Sequence, residues 1–304
     1  MPAASLRALL ERSIDYAGLF PPASLSLEPA LQNQAQYVRS PDVWMLGAFI
    51  LPVGQFNAAA EHLAQFDERH PLNVSALGPK TENASAFVDA VNSAVAGIHA
   101  LIEKHAGRVS VTQLEMPLSP DPDVPLLARA RETLGPLLAF WEAPAANAEQ
   151  AITMISDHNK STELRPFGFK LRTGGVTADA FPTSREVAAA LVAAAHHRVP
   201  IKFTAGLHHP VRQFHESVQT KMHGFLNVLG AGVLAAEHGW DQAQTVAMLD
   251  DEEPGSFSFS DDSFSWREWS ISAARIRARR ELVTSLGSCS FDEPREDLRH
   301  LQLL

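Results

Sequence analysis

The sequence predicts an α/β fold, a single (β/α)8 TIM-type barrel with a helical C-terminal extension. Two observations carry that expectation. Between residues 43 and 229, short apolar runs alternate with longer Ala-rich stretches of helical period, the pattern of repeated βα units around a parallel sheet. Polar and charged residues also recur at the C-terminal ends of those runs, where barrel and open α/β sites are assembled. A length of 304 residues allows two domains, but one barrel core takes up about 250. No internal repeat or low-complexity linker divides the chain. The expected division is a barrel with an N-terminal helix over 1–239, and an acidic loop and helical extension packed on the barrel over 240–304.

The opening MPAASLRALLERS reads as a short amphipathic helix. Residues 13–20, SIDYAGLF, supply a first strand, and strands follow at 44–51, 73–77, 109–116, 137–142, 167–172, 200–204 and 225–229. The last of these closes the barrel beside the first, with 256–259 competing for that place. Helices fill the gaps at 57–68, 84–105, 124–134, 147–158, 184–195 and, briefly, 211–222. The 184–195 helix shows the start signals: Thr183 or Ser184 caps the free N–H groups, Glu186 sits where the helix dipole favours an anion, and Pro182 stops upstream helix. Beyond 229 the expected pattern is helix at 230–249, an acidic Ser/Phe-rich loop at 250–265 and a long helix at 266–286. The 250–266 stretch is expected to close over the barrel mouth as a lid.

Composition narrows the function classes. Twenty-five Lys and Arg against 35 Asp and Glu give a net charge of −10 with no block of like charges, which argues against a nucleic-acid partner. One cysteine, Cys289, forms no intramolecular disulfide and fits a reducing cytosol. Charges interrupt the N-terminal helix before any signal-peptide core, and no later run is read as reaching the ~18 apolar residues of a membrane span. A soluble, cytoplasmic chain with no membrane partner is expected, and a homo-oligomer is compatible with it. There is no G-x-x-x-x-G-K-[ST], no G-x-G-x-x-G after a strand and no G-x-S-x-G, so no nucleotide cofactor and no serine elbow are expected.

The strands that end in charge are the informative ones. GFKLRTGG places Lys170 and Arg172 on one face, PIKFTAGLHH places Lys202 and Thr204 on one face, VTQLEMP pairs Gln113 with Glu115, and LLAFWEAP ends in Glu142. The two lysines lie 32 residues apart, about one crossover, and so should be neighbours at similar height. Two ammonium groups that close, with Arg172 nearby, would depress one lysine pKa and leave a nucleophilic amine. Alternatively Glu115 or Glu142 pairs with each lysine and keeps both charged, giving a structural network or an anion site. His208 and His209 lie just beyond the Lys202 strand, where one can carry a proton; the HEXXH spacing and a Cys pair for zinc are both absent. Asp15 faces the barrel if 13–20 is a strand, and is a cap or turn residue if it is a loop. Asn227 binds substrate or fixes a turn. Cys289 lacks an evident base and reads as inert.

The order of these motifs resembles deoxyribose-phosphate aldolase and its class I aldolase relatives. FKLRTGG looks like the family's strand-six K-T-S-T-G motif, IKFTAGL looks like the strand-seven K-x-A-G-G motif, and SIDYAGLF is similar to the first strand with its aspartate. The resemblance covers residues 13–235 in element order. It implies Lys170 as the Schiff-base lysine, Lys202 as the second lysine, Asp15 from the first strand, and Glu115 in place of the strand-four aspartate. Leu207-His208-His209-Pro210 and Asn227-Val228-Leu229-Gly230 stand where the family binds phosphate, so a carbonyl compound other than a deoxyribose phosphate is expected. The leading expectation is a Schiff-base lyase with Lys170, Lys202, Glu115 and Asp15 catalytic, Arg172, Glu142, Thr204, His208, His209 and Asn227 binding substrate, and no metal or cofactor. The alternatives are a metal-assisted hydrolase or isomerase using His208 or His209 with Glu115 and Glu142, and a noncatalytic barrel binding a small anion through Lys170, Arg172 and Lys202.

Overall fold

The computed structural model describes residues 1–304. Eight parallel strands close into a barrel: Ile14–Tyr16, Leu46–Pro52, Leu72–Leu77, Val109–Pro117, Leu138–Glu142, Gly168–Arg172, Ile201–Thr204 and Val283–Ser288. The first seven follow one another around the barrel, and the eighth sits between the seventh and the first. It pairs Ile14 with Leu286 and Asp15 with Gly287 on one side, and Phe203 with Leu286 on the other. Outward side chains meet the helical ring: Trp141 packs edge-on to Phe167 and tilted against Phe87 of the Ala84–Lys104 helix.

Closure differs from the sequence expectation. Residues 225–229 begin a helix, Phe225–His238, whose residues are buried without a break from Phe225 to Ala235. A run this apolar, with Asn227 its one polar residue before Glu237, does not distinguish a buried helix from a buried strand by period. Gly230 and Gly232 let this helix press inward: a Cβ at Gly232 would stand 2.8 Å from Val283 Cγ2, and one at Gly230 2.5 Å from Met248 Cε. The expected 230–249 helix is two helices, separated at Gly239 in the left-handed region (φ 65°) and restarted by a capping box at Asp241. The expected 266–286 helix is Ser263–Trp266 and Trp269–Ser272 in an antiparallel sheet with Phe257–Phe259, then the helix Ala273–Arg279, then the closing strand. The barrel therefore does not end at 239, and 240–304 is not an appendage to it. The expected helix at 211–222 is a hairpin, Gln213–His215 with Thr220–Met222, and that at 57–68 shortens to Phe56–Ala60 and a 3-10 turn, Leu63–Gln65.

The lid expectation is corrected only for the sheet: Asp250 and Glu252 are held by Ser184, Arg212 and Lys221, which follow the sixth and seventh strands, but the sheet beyond them turns away. Ser5 N donates to Ser260 O at 3.1 Å and Ala4 N to Asp261 Oδ1 at 3.0 Å, so the small sheet lies against the Ala4–Leu10 helix. That helix runs into Arg12, whose N–H meets Trp44 O just before the second strand, on the N-terminal side of the barrel. The Ala84–Lys104 helix is long and apolar enough to cross a membrane by length and composition. Here its stripe from Phe87 through Val91, Ala94 and Ile98 to Leu101 is buried in the fold.

Inside the barrel, Gly168 makes room for Phe140, because a Cβ there would lie 2.4 Å from two ring atoms and 2.8 Å from Pro200 O. Gly168→Ala is expected to destabilise the fold by about 1–3 kcal/mol through overpacking against ring and backbone. Urea denaturation checks this, and an unchanged midpoint would show that the ring yields without cost.

Candidate active site

Strand alternation and register together bring the charged residues into one interior layer. Lys170 is in register with Lys202 on one neighbour and with Glu142 on the other, and Glu115 is paired with Phe140 on the strand beyond. Glu115 stands between the lysines: Oε2 lies 2.9 Å from Lys170 Nζ, and Oε1 is ion-paired with Lys202. Lys170 also reaches Glu142 Oε2 at 3.0 Å, and Lys202 reaches Asp15 Oδ2 at 2.8 Å. A continuous chain of alternating charge results, from Asp15 through Lys202, Glu115 and Lys170 to Glu142.

The inner end is the more tightly held. Asp15 Oδ1 accepts from Ala48 N at 2.7 Å, and Oδ2 accepts from Ser285 Oγ at 2.7 Å. The backbone can approach that closely because residue 47 is glycine; a Cβ there would stand 2.2 Å from Asp15 Oδ1. Ser75 Oγ donates to Glu115 Oε1 at 2.5 Å and is itself met by Gln113 Nε2 at 3.0 Å. Lys202 Nζ sits 5.5 Å from the Phe140 ring centroid. Access grades outward: Lys202 is fully buried, the Lys170 side chain is 5% exposed and that of Glu142 18%.

Electrostatics follow from this order. Burial works to raise the Glu115 pKa, but Lys170 and Lys202 overcome it and lower the carboxyl to about 2. Burial likewise works to lower the Lys202 pKa, and Asp15 and Glu115 reverse the sign, so it is raised. The bare repulsion expected between two adjacent lysines is therefore absent, because a shared carboxylate separates them.

The remaining expected residues divide by location. Arg172, in register with Thr204 one step above the lysines, is exposed and makes no ion pair, and Thr204 is partly buried beside it. His208 and His209 do not meet Glu115 or Glu142. Their Nδ1 atoms face Glu293 at 3.1 Å and Asp297 at 2.7 Å, both on the C-terminal helix Asp292–His300. Asn227 is fully buried and braces the fold: Oδ1 accepts from Arg212 N, and Nδ2 donates to Met248 O and Asp251 O. Cys289 Sγ is 3.9 Å from His208 Nδ1. No group of three or more His, Cys, Asp and Glu side chains is arranged to hold a metal ion. Sequence reasoning missed Ser75, Ser285 and Gly47. Ser75 had a signal, a hydroxyl at the centre of the apolar run LNVSAL, whereas Ser285 lay in a segment read as helix.

No protein-family model and no curated protein matches this chain.

Two outcomes are expected. Glu115→Gln removes the carboxylate shared by two buried ammoniums and should destabilise the fold by about 3–5 kcal/mol in chemical denaturation; a loss below about 1 kcal/mol would show that the lysines find other partners. The second concerns His208. Burial disfavours its charge, but Cys289 and Glu293 outweigh that and push it up to about 9. Its raised pKa contributes stability that is complete below the ordinary value of about 6.5 and fades as pH rises from there to about 9. His208→Ala should therefore flatten the fall of Tm across that window; an unchanged slope would assign the fall to other groups.

Proposed function

We propose that this barrel is a Schiff-base-forming lyase of the class I aldolase kind, acting on a small carbonyl compound other than a deoxyribose phosphate. The observation that carries the reading is the position of Lys170. It is the outer of two buried lysines, held on one side by the sealed Glu115 and on the other by Glu142, which reaches solvent. Lys202 is enclosed on every side and serves as a fixed charge rather than as a nucleophile.

An ammonium does not attack a carbonyl, so Lys170 must first lose a proton. Glu115, with its pKa lowered to about 2, is too weak a base to take it at neutral pH. Asp15 touches Lys202 rather than Lys170, and His208 is engaged by Glu293. Glu142, 3.0 Å away and open to water, is the acceptor that remains. The free amine adds to the carbonyl carbon, one amine proton passes to the former carbonyl oxygen, and a second, returned by Glu142, lets the C–O bond break and that oxygen depart as water while the C=N bond forms. The resulting iminium nitrogen draws the electron pair of the bond that breaks. Lys202 assists by competing for Glu115, which weakens that carboxylate's hold on the Lys170 proton.

Borohydride trapping with a panel of aldehydes and 2-oxo acids tests this, read by intact mass and peptide mapping. An adduct on Lys170 is expected, and Lys170→Ala should abolish it. Lys202→Met should leave the adduct but move the pH midpoint of trapping upward, because Glu115 then acts on Lys170 alone. An adduct that survives Lys170→Ala would falsify the assignment of the nucleophile. A barrel that only binds anions would give no adduct with any carbonyl.

A further inference from the structure

We infer that Arg172 is the docking point for a carboxylate on the substrate, which makes the carbonyl compound taken by Lys170 a 2-oxo acid; the covalent part of this rests on the Schiff-base reading above. Alternation along Gly168–Arg172 fixes the placement. Lys170 points inward, since it touches Glu115, and Leu171 is wholly buried on the opposite face. Arg172 occupies the next inward position, level with Thr204 at the mouth, and is exposed there.

Its lack of a partner is the telling feature. Lys170 and Lys202 each touch two carboxylates, whereas Arg172 touches none, in a chain that carries a net charge of −10. The interior layer sets three carboxylates against two ammoniums, so an incoming anion is repelled unless a cation meets it at the entrance. Arg172 stands at that level with a planar fork that matches a carboxylate in two parallel bonds. Two residues along a strand separate Lys170 and Arg172 by ~6.6 Å.

A 4-hydroxy-2-oxo acid then reacts as follows. Lys170 Nζ adds to C2 and the C2 oxygen leaves as water. The C4 hydroxyl gives its proton to a base, the C3–C4 bond breaks, and its electron pair moves to C3, forming an enamine and releasing an aldehyde. A proton adds to C3, and water hydrolyses the imine to free the shorter 2-oxo acid and the lysine.

Two measurements separate this inference from the reading beneath it. Oxamate, a 2-oxo acid isostere, forms no imine, and calorimetry should show that it binds both the unaltered protein and Lys170→Met. Arg172→Leu should weaken that binding at least tenfold, with Arg172→Lys intermediate. In borohydride trapping, Arg172→Leu should reduce the ratio of pyruvate to acetaldehyde labelling at least tenfold. Oxamate binding that is absent or indifferent to Arg172 overturns the inference, as does inorganic phosphate binding more tightly than oxamate. Arg172-dependent oxamate binding with no trapped adduct from any carbonyl upholds the carboxylate site and removes the Schiff-base reading instead.

Discussion

One buried carboxylate, Glu115, carries the charge balance of the barrel interior. Its two oxygens face two lysines from adjacent strands, and without it those ammoniums would confront each other in a medium too apolar to screen them. An isolated buried pair returns little net stability, since desolvation consumes most of the attraction. The arrangement here is better satisfied: Glu115 also receives Ser75, and Asp15 receives both Ser285 and the Ala48 N–H. Hydrogen bonds of that kind fix the carboxylates in place and so fix the lysines they hold.

The fold supplies the conditions for this layer in specific ways. Strand register, rather than loop conformation, sets Lys170 opposite Lys202, so the spacing of the two ammoniums is as rigid as the sheet. The first strand bends into the second with a register irregularity between Ile14 and Tyr16, beside the Asp15 carboxylate and the glycine that admits it. Phe140, seated over Gly168, forms an apolar floor near Lys202. Water is thereby kept from the inner end, while Glu142 and Arg172 remain within its reach at the outer end.

Much of this was legible in the sequence, for physical reasons. A lysine two residues from an arginine inside an apolar run, and a second lysine one crossover later, mark inward faces of parallel strands whatever the surrounding topology. Glu115 and Glu142 were legible on the same ground. The closing strand was not. Val283–Ser288 has a small-residue, half-polar sequence directly after an Arg-rich helix, so its period of two is submerged in a helical pattern. The apolar Phe225–His238 run offered a more hydrophobic but incorrect substitute. The pairing of His208 and His209 with Glu293 and Asp297 likewise depends on a helix that is distant in sequence and adjacent in space, which no local pattern reveals. Nor does residue type show that Arg172 lacks a partner, because that is a property of the assembled mouth.

The seating of the eighth strand between the seventh and the first also bears on how the molecule is made. Asp15 gains its Ser285 hydrogen bond from a residue 270 positions later. A chain in which Val283–Ser288 is not yet seated would leave the first and seventh strands as unpaired edges, with one wall of the Asp15–Lys202 pair missing. Such a sheet is a template for pairing with other chains. Until that last strand is seated, the chain is at once without its finished interior and exposed to such pairing, so the step that completes the charge layer is also the step that removes the open edges.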